Sequence, residues 1–175
     1  MRTMSLRPNP ISVVVAAITA ACALSAQAAG PVDVSFLPDP RQYTDPGRDP
    51  ADAVRNEETL ARHLQSLGAR WLPDGQQLKV EVLDLDLSGS LRPPRRAAID
   101  DVRISHGGAD VPRVTLRYTL SEGSRVLASG EETVSDLNYL RHGADIGLNE
   151  PLRNEKRMLE NWFKSRIVER KPAAG

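Results

Sequence analysis

The chain has a single cysteine, Cys22, and it lies inside an apolar N-terminal stretch. If that stretch is removed, no thiol remains. This excludes a disulfide framework, a zinc–thiolate site and a cysteine nucleophile. Charge of one sign is also missing, since 23 Lys and Arg face 23 Asp and Glu. Nucleic-acid binding needs a basic surplus or stripe, and docking on an anionic membrane surface needs a polybasic cluster. Neither partner is expected. Beyond residue 28 no long hydrophobic run occurs, so no membrane-crossing segment is expected in the remainder. Repeats and low-complexity tracts are absent. Catalytic signatures are missing as well: there is no Gly-x-Ser-x-Gly elbow, no HExxH pair and no phosphate-cradling glycine loop.

The first 28 residues read as an export signal. Arg2 and Arg7 give a positive start, an uncharged run continues through Val13–Ile18 to Leu24, and Ala26-Gln27-Ala28 places small residues at −3 and −1 of a cleavage site. Cleavage after Ala28 leaves 147 of the 175 residues, enough for one core, with 21 basic against 23 acidic side chains. The expected location is the periplasm. An alternative is an outer-membrane lipoprotein acylated at Cys22, although Thr19 stands where such signals usually carry Leu.

Val32–Phe36 alternates as a first strand, and four prolines between Pro38 and Pro50 then enforce an irregular path. Asp49-Pro50 is a helix start, because Asp accepts from a free amide and Pro suits the first helical position. Leu60, Leu64, Leu67 and Trp71 form one apolar stripe, closed by Pro73-Asp74-Gly75. Leu78–Val82 alternates, and then Leu83, Leu85 and Leu87 take the opposite parity, which signals a bulge or a strand covered on both faces. A weak strand is read at Val102–Ile104. Arg113–Leu120 is the cleanest strand, and Glu122-Gly123-Ser124 turns it into a hairpin with Arg125–Ala128. Thr133–Leu140 reads equally as strand or helical turn. Pro151 is the expected start of a last helix whose buried face carries Leu152, Leu159, Trp162, Phe163 and Ile167, followed by a frayed tail at 171–175. The expected fold is therefore α+β in two layers: one mostly antiparallel sheet of four to five strands, with two helices packed on one face, in a single domain over 29–170.

Several blocks stand together: Val32-Asp33-Val34-Ser35-Phe36 with Tyr43-Thr44-Asp45, Asp84-Leu85-Asp86-Leu87-Ser88-Gly89, Ser135-Asp136-Leu137-Asn138-Tyr139-Leu140, and Glu155–Phe163. In this combination the chain resembles domain-of-unknown-function family 3016, small exported proteins of Gram-negative bacteria. The resemblance implies export and a single domain, and it implies no activity.

Two segments are candidate sites. Asp84, Asp86 and Ser88, followed by Gly89, place oxygen ligands at alternate positions as in the first half of a calcium loop. Arg95 stands where the bidentate Glu would be, and pairing of the two carboxylates with nearby arginines is the competing reading. On the calcium reading the protein is a metal-binding protein or a metal-dependent enzyme; otherwise no cofactor is expected. Asp39, Tyr43 and Asp45 lie on a proline-fixed loop that reads equally as a recognition surface or as a strap capping the sheet edge with Tyr43 buried. His63, His106 and His142 lack metal-ligand spacing. The leading expectation is a non-enzymatic binding or accessory module of the cell envelope, its partner an envelope protein or a small ligand.

Overall fold

In the computed structural model, residues 31–91, 103–104, 111–139 and 150–172 are described. The N-terminal 28 residues, His106, His142 and the arginine-rich run at 92–96 lie outside them.

The elements run β1 (Val32–Ser35), α1 (Pro50–Trp71), β2 (Gln76–Asp86), β3 (Ser90–Leu91), β4 (Arg103–Ile104), β5 (Arg113–Glu122), β6 (Arg125–Ser135) and α2 (Arg153–Trp162). A π-helical turn over Phe163–Val168 prolongs α2. The main sheet has the order β1-β2-β5-β6, and β3 with β4 forms a separate ribbon. β1 pairs with β2 in parallel, whereas β2–β5 and β5–β6 are antiparallel. The fold is thus α+β with a mostly antiparallel sheet.

Sequence pattern explains the layering. Val80, Val82, Leu116 and Leu120 point to one side of the sheet and are buried there with Leu60, Leu64 and Leu67 of α1 and Leu159 of α2. Phe163 is fully buried between the helices and meets the Trp71 ring at 6.0 Å. The opposite face is polar. Arg117 reaches Glu81 at 2.8 Å and Glu131 at 2.9 Å across three strands, while the Thr115 and Thr133 hydroxyls share a hydrogen bond of 3.0 Å. All members of the Arg117 cluster are half exposed, so water screens it and its contribution to stability is small.

The parity switch in β2 is a bulge. The register with β5 shifts between Val82 and Asp84, with Leu83 as the extra residue. Leu85 and Leu87 thereby return to the helix-covered side, and Asp84 and Asp86 turn to the polar face.

α1 begins as its sequence dictates. The Asp49 carboxylate accepts from the Asp52 amide at 2.9 Å, and Pro50 occupies the first helical position. Gly68 lets this helix press onto β1: a Cβ there would stand 2.1 Å from Cγ2 of Val32. α1 and α2 are also tied by a hydrogen bond. Nε2–H of His63 donates to the Lys156 carbonyl at 2.9 Å, and burial holds the His63 pKa below its ordinary value.

Three elements differ from the sequence reading. α2 starts at Arg153 rather than Pro151, because Leu152 sits in the left-handed region at φ 53° and cannot belong to the helix. β6 is one unbroken strand through Ser135, since cross-strand pairing with β5 holds Glu131 and Glu132 extended. Residues 90–91, where the pattern signals no strand, form β3 by pairing with β4. Lys171 is held to the preceding turn, its amide donating to Ser165 and its carbonyl accepting from Arg166.

Candidate functional site

Residues 36–45 run along the β1 edge of the sheet as a strap. Asp39 opens a short 3-10 turn at Pro40–Gln42, accepting from the Arg41 amide and gripping the Arg41 guanidinium at 2.9 Å. That grip holds the Asp39 carboxyl below its usual pKa, although both groups remain open to water. Tyr43 is turned inward and only 5% exposed. Its hydroxyl accepts from the Leu37 amide at 2.6 Å, and burial raises the phenol pKa. Asp45 bridges to Asp86 in parallel: the Asp45 amide donates to the Leu85 carbonyl at 2.9 Å, and the Asp45 carbonyl accepts from the Leu87 amide at 3.0 Å. The chain therefore pairs with β2 as β1, leaves the edge where β2 bulges, and rejoins it at Asp45.

The candidate oxygen ligands have separate neighbours. Both Asp84 oxygens are taken by Thr44, from its amide at 2.8 Å and its hydroxyl at 2.9 Å. Asp86 faces Arg113 at 3.4 Å. Ser88 lies on the helix side, where its amide donates to Glu155 at 2.7 Å and its hydroxyl accepts from Asn154 at 3.0 Å. The structure thus joins Asp84 to the strap and Ser88 to α2, and it does not gather Asp84, Asp86 and Ser88 around one point. Among the described residues, no three His, Cys, Asp or Glu side chains are grouped so as to hold a metal ion. Glu155, which is 2% exposed, is a buried carboxylate that sequence reasoning missed. It sits one turn before Leu159 on the buried stripe of α2, and a charge on such a stripe is the available signal.

At the other edge of the sheet lies an open cleft of about 760 Å³, between the last residues of β6 and the helical wall of α2 and its π turn. Val134, Met158 and Trp162 supply apolar surface. Glu132 and Arg166 form an ion pair of 2.8 Å in its wall, with side chains 17% and 9% exposed. Tyr118 packs edge-on against Trp162 at 5.6 Å, its phenol pKa raised by burial and then by the Glu132 carboxylate.

Two groups in this wall lack partners. Nε1–H of Trp162 is a buried donor with no acceptor, and Oδ2 of Asp136 is a buried acceptor with no donor. The other Asp136 oxygen accepts from the Asn138 amide at 2.9 Å. Each unmet buried group costs about 1–3 kcal/mol, and native proteins rarely leave one without a reason. The sequence assigns Trp162 to the core, and at 4% exposed it is there. What its stripe position cannot tell is where the indole N–H ends up. The legible sign of this site is Glu132, a carboxylate at an inward-facing position of β6 opposite Leu116.

The molecule is a small α+β domain with one face of its sheet layered by helices. The family described as Protein of unknown function (DUF3016) matches residues 30–165, and the chain belongs to that family. No curated protein and no solved structure matches it. No helix among the described residues is long and apolar enough to cross a membrane.

Proposed function

We propose that this chain is an exported, non-enzymatic binding or accessory module of the Gram-negative cell envelope, and that the β6–α2 cleft is where it holds its partner or ligand. One observation carries the reading: an unpaired donor, Trp162, and an unpaired acceptor, Asp136, belong to residues lining a single cleft. A ligand offering both an acceptor and a donor there gains hydrogen bonds that the unliganded protein leaves unmade. Export is supported by the charged, apolar and small-residue order of residues 1–28. The π turn bordering the cleft adds weight, since such turns concentrate at functional sites.

The test uses full-length protein expressed with its own leader. Mass spectrometry of the periplasmic fraction is expected to find a free N-terminus at Ala29. Native mass spectrometry of the same material is expected to find bound mass that Trp162→Phe and Asp136→Asn each reduce. Retention in the cytosol with the first residues intact, or bound mass indifferent to both variants, overturns the reading.

A further inference from the structure

Resting on that reading of the cleft, we infer that its occupant is an extended peptide segment of a partner protein, which adds to the outer edge of β6 as a fifth strand and places a Lys or Arg side chain near Asp136. β6 runs eleven residues, Arg125–Ser135, and ends the sheet; among the described residues it pairs with β5 alone. Alternate residues of an edge strand turn backbone N–H and C=O groups outward, a template for another chain. Edge strands are usually blunted by proline, lysine, an inward-pointing charge or a bulge along their length. β6 has no proline or lysine, its inward-facing carboxylate, Glu132, is paired with Arg166, and its one register shift lies at the hairpin end, opposite Leu120 and Ser121. The stretch Glu131–Asp136 also forms one bank of the cleft, and α2 with its π turn forms the other. A strand edge flanked by a helix is the geometry that receives extended peptides, with main-chain bonds giving affinity and alternate side chains giving specificity.

Three observations favour this occupant. Peptide backbone offers the donor and the acceptor that Asp136 and Trp162 lack. Apolar surface from Val134, Met158 and Trp162 suits the alternate side chains that point inward. The charges are selective, because Glu131 is paired with Arg117 and Glu132 with Arg166, whereas one Asp136 oxygen is unmatched. Both atoms are buried, so a peptide reaches them only if the wall side chains turn, a change that Trp162 fluorescence reports.

The experiment is selection from a displayed library of random nine-residue peptides on the full mature domain. Enriched peptides are then synthesised unmodified and with N-methyl groups at successive positions. Expected are peptides carrying Lys or Arg, N-methylation that weakens binding at least tenfold at every second position and little at those between, and slowed hydrogen exchange at Glu131–Ser135. Asp136→Asn is expected to weaken binding at least fivefold for the basic peptides and to leave the thermal midpoint nearly unchanged. Peptides that quench Trp162 but show no two-residue rhythm on methylation leave the cleft reading standing and overturn strand addition. Selection that enriches nothing overturns strand addition too. If, in addition, native bound mass ignores Trp162→Phe, the cleft reading falls with it. Protection of the β6 amides that rises with protein concentration in the absence of peptide overturns the proposal in favour of a second copy of the chain.

Discussion

The sheet has two edges, β1 and β6, and they are finished in different ways. β1 contributes only Val32–Ser35, yet its side is covered: the strap rejoins β2 at Asp45, Tyr43 plugs the gap, and α1 presses on Val32 through Gly68. β6 is almost three times as long and borders an open cleft. Covering an edge removes a hazard of aggregation, and a fold able to build one strap could have built another. The contrast teaches that the covering contacts gather on the β1 side, and it is the β6 side that we propose for binding.

Substitutions can break this contrast. The largest effect is expected from Tyr43→Ala, which removes a buried ring and leaves the Leu37 amide without its acceptor. A loss of about 3–5 kcal/mol in unfolding free energy is expected by denaturant titration. Hydrogen exchange should quicken along β1 and the second half of β2, and stay unchanged on β6. An equal loss of protection on β6 would mean that the edges are not independent.

Next is Gly68→Ala. Alanine favours a helix by about 1 kcal/mol, but the new methyl collides with the stiff Val32 side chain. Overpacking should win, with a net loss of about 1–3 kcal/mol. A stabilised variant would show that β1 docks loosely.

Acid should act on the helix layer behind both edges. Burial depresses the His63 pKa in the folded protein, so the unfolded chain binds more protons below the ordinary value of 6.5. The stability His63 contributes is present above pH 6.5 and is lost as pH falls through its lower folded value. Thermal midpoints taken between pH 7.5 and 5 should therefore fall more steeply for the native chain than for His63→Gln. Glu57 works the other way. Burial raises its pKa, so its penalty at neutral pH is relieved on acidification through that raised value, and Glu57→Gln should be slightly the more stable at pH 7.

The smallest effect belongs to the open edge. Val126 is 58% exposed at the start of β6, and Val126→Ala should change stability by less than about 0.5 kcal/mol. A loss of several times that size would reveal a covered edge.

Legibility in the sequence divides along the same line. α1 could be read almost to the residue, because Asp49-Pro50 and the Leu60, Leu64, Leu67 stripe are local signals. The bulge could be read from the parity change at Leu83, since side chains in a strand alternate strictly. For residues 39–45 the pattern left two readings, and burial of Tyr43 with the Asp45 bridge is the strap geometry. The β6–α2 cleft was legible in Glu132 alone. It depends on Trp162 and Asp136, 26 positions apart in the chain, lining one cleft, and neither residue type announces an unmet hydrogen bond. The π turn after Trp162 was not legible either; Arg166 within it reaches Glu132 and the Lys171 carbonyl, partners that no local pattern names.

The extra residue in β2 has one more consequence. It acts as a phase shifter, changing which parity of position faces inward for the rest of that strand. Deleting Leu83 would close the bulge, setting Val82 and Asp84 as consecutive residues opposite Leu116 and Thr115, and would leave Leu85 and Leu87 in the core. The length of this strand can therefore change by one residue at the bulge without turning any later side chain over.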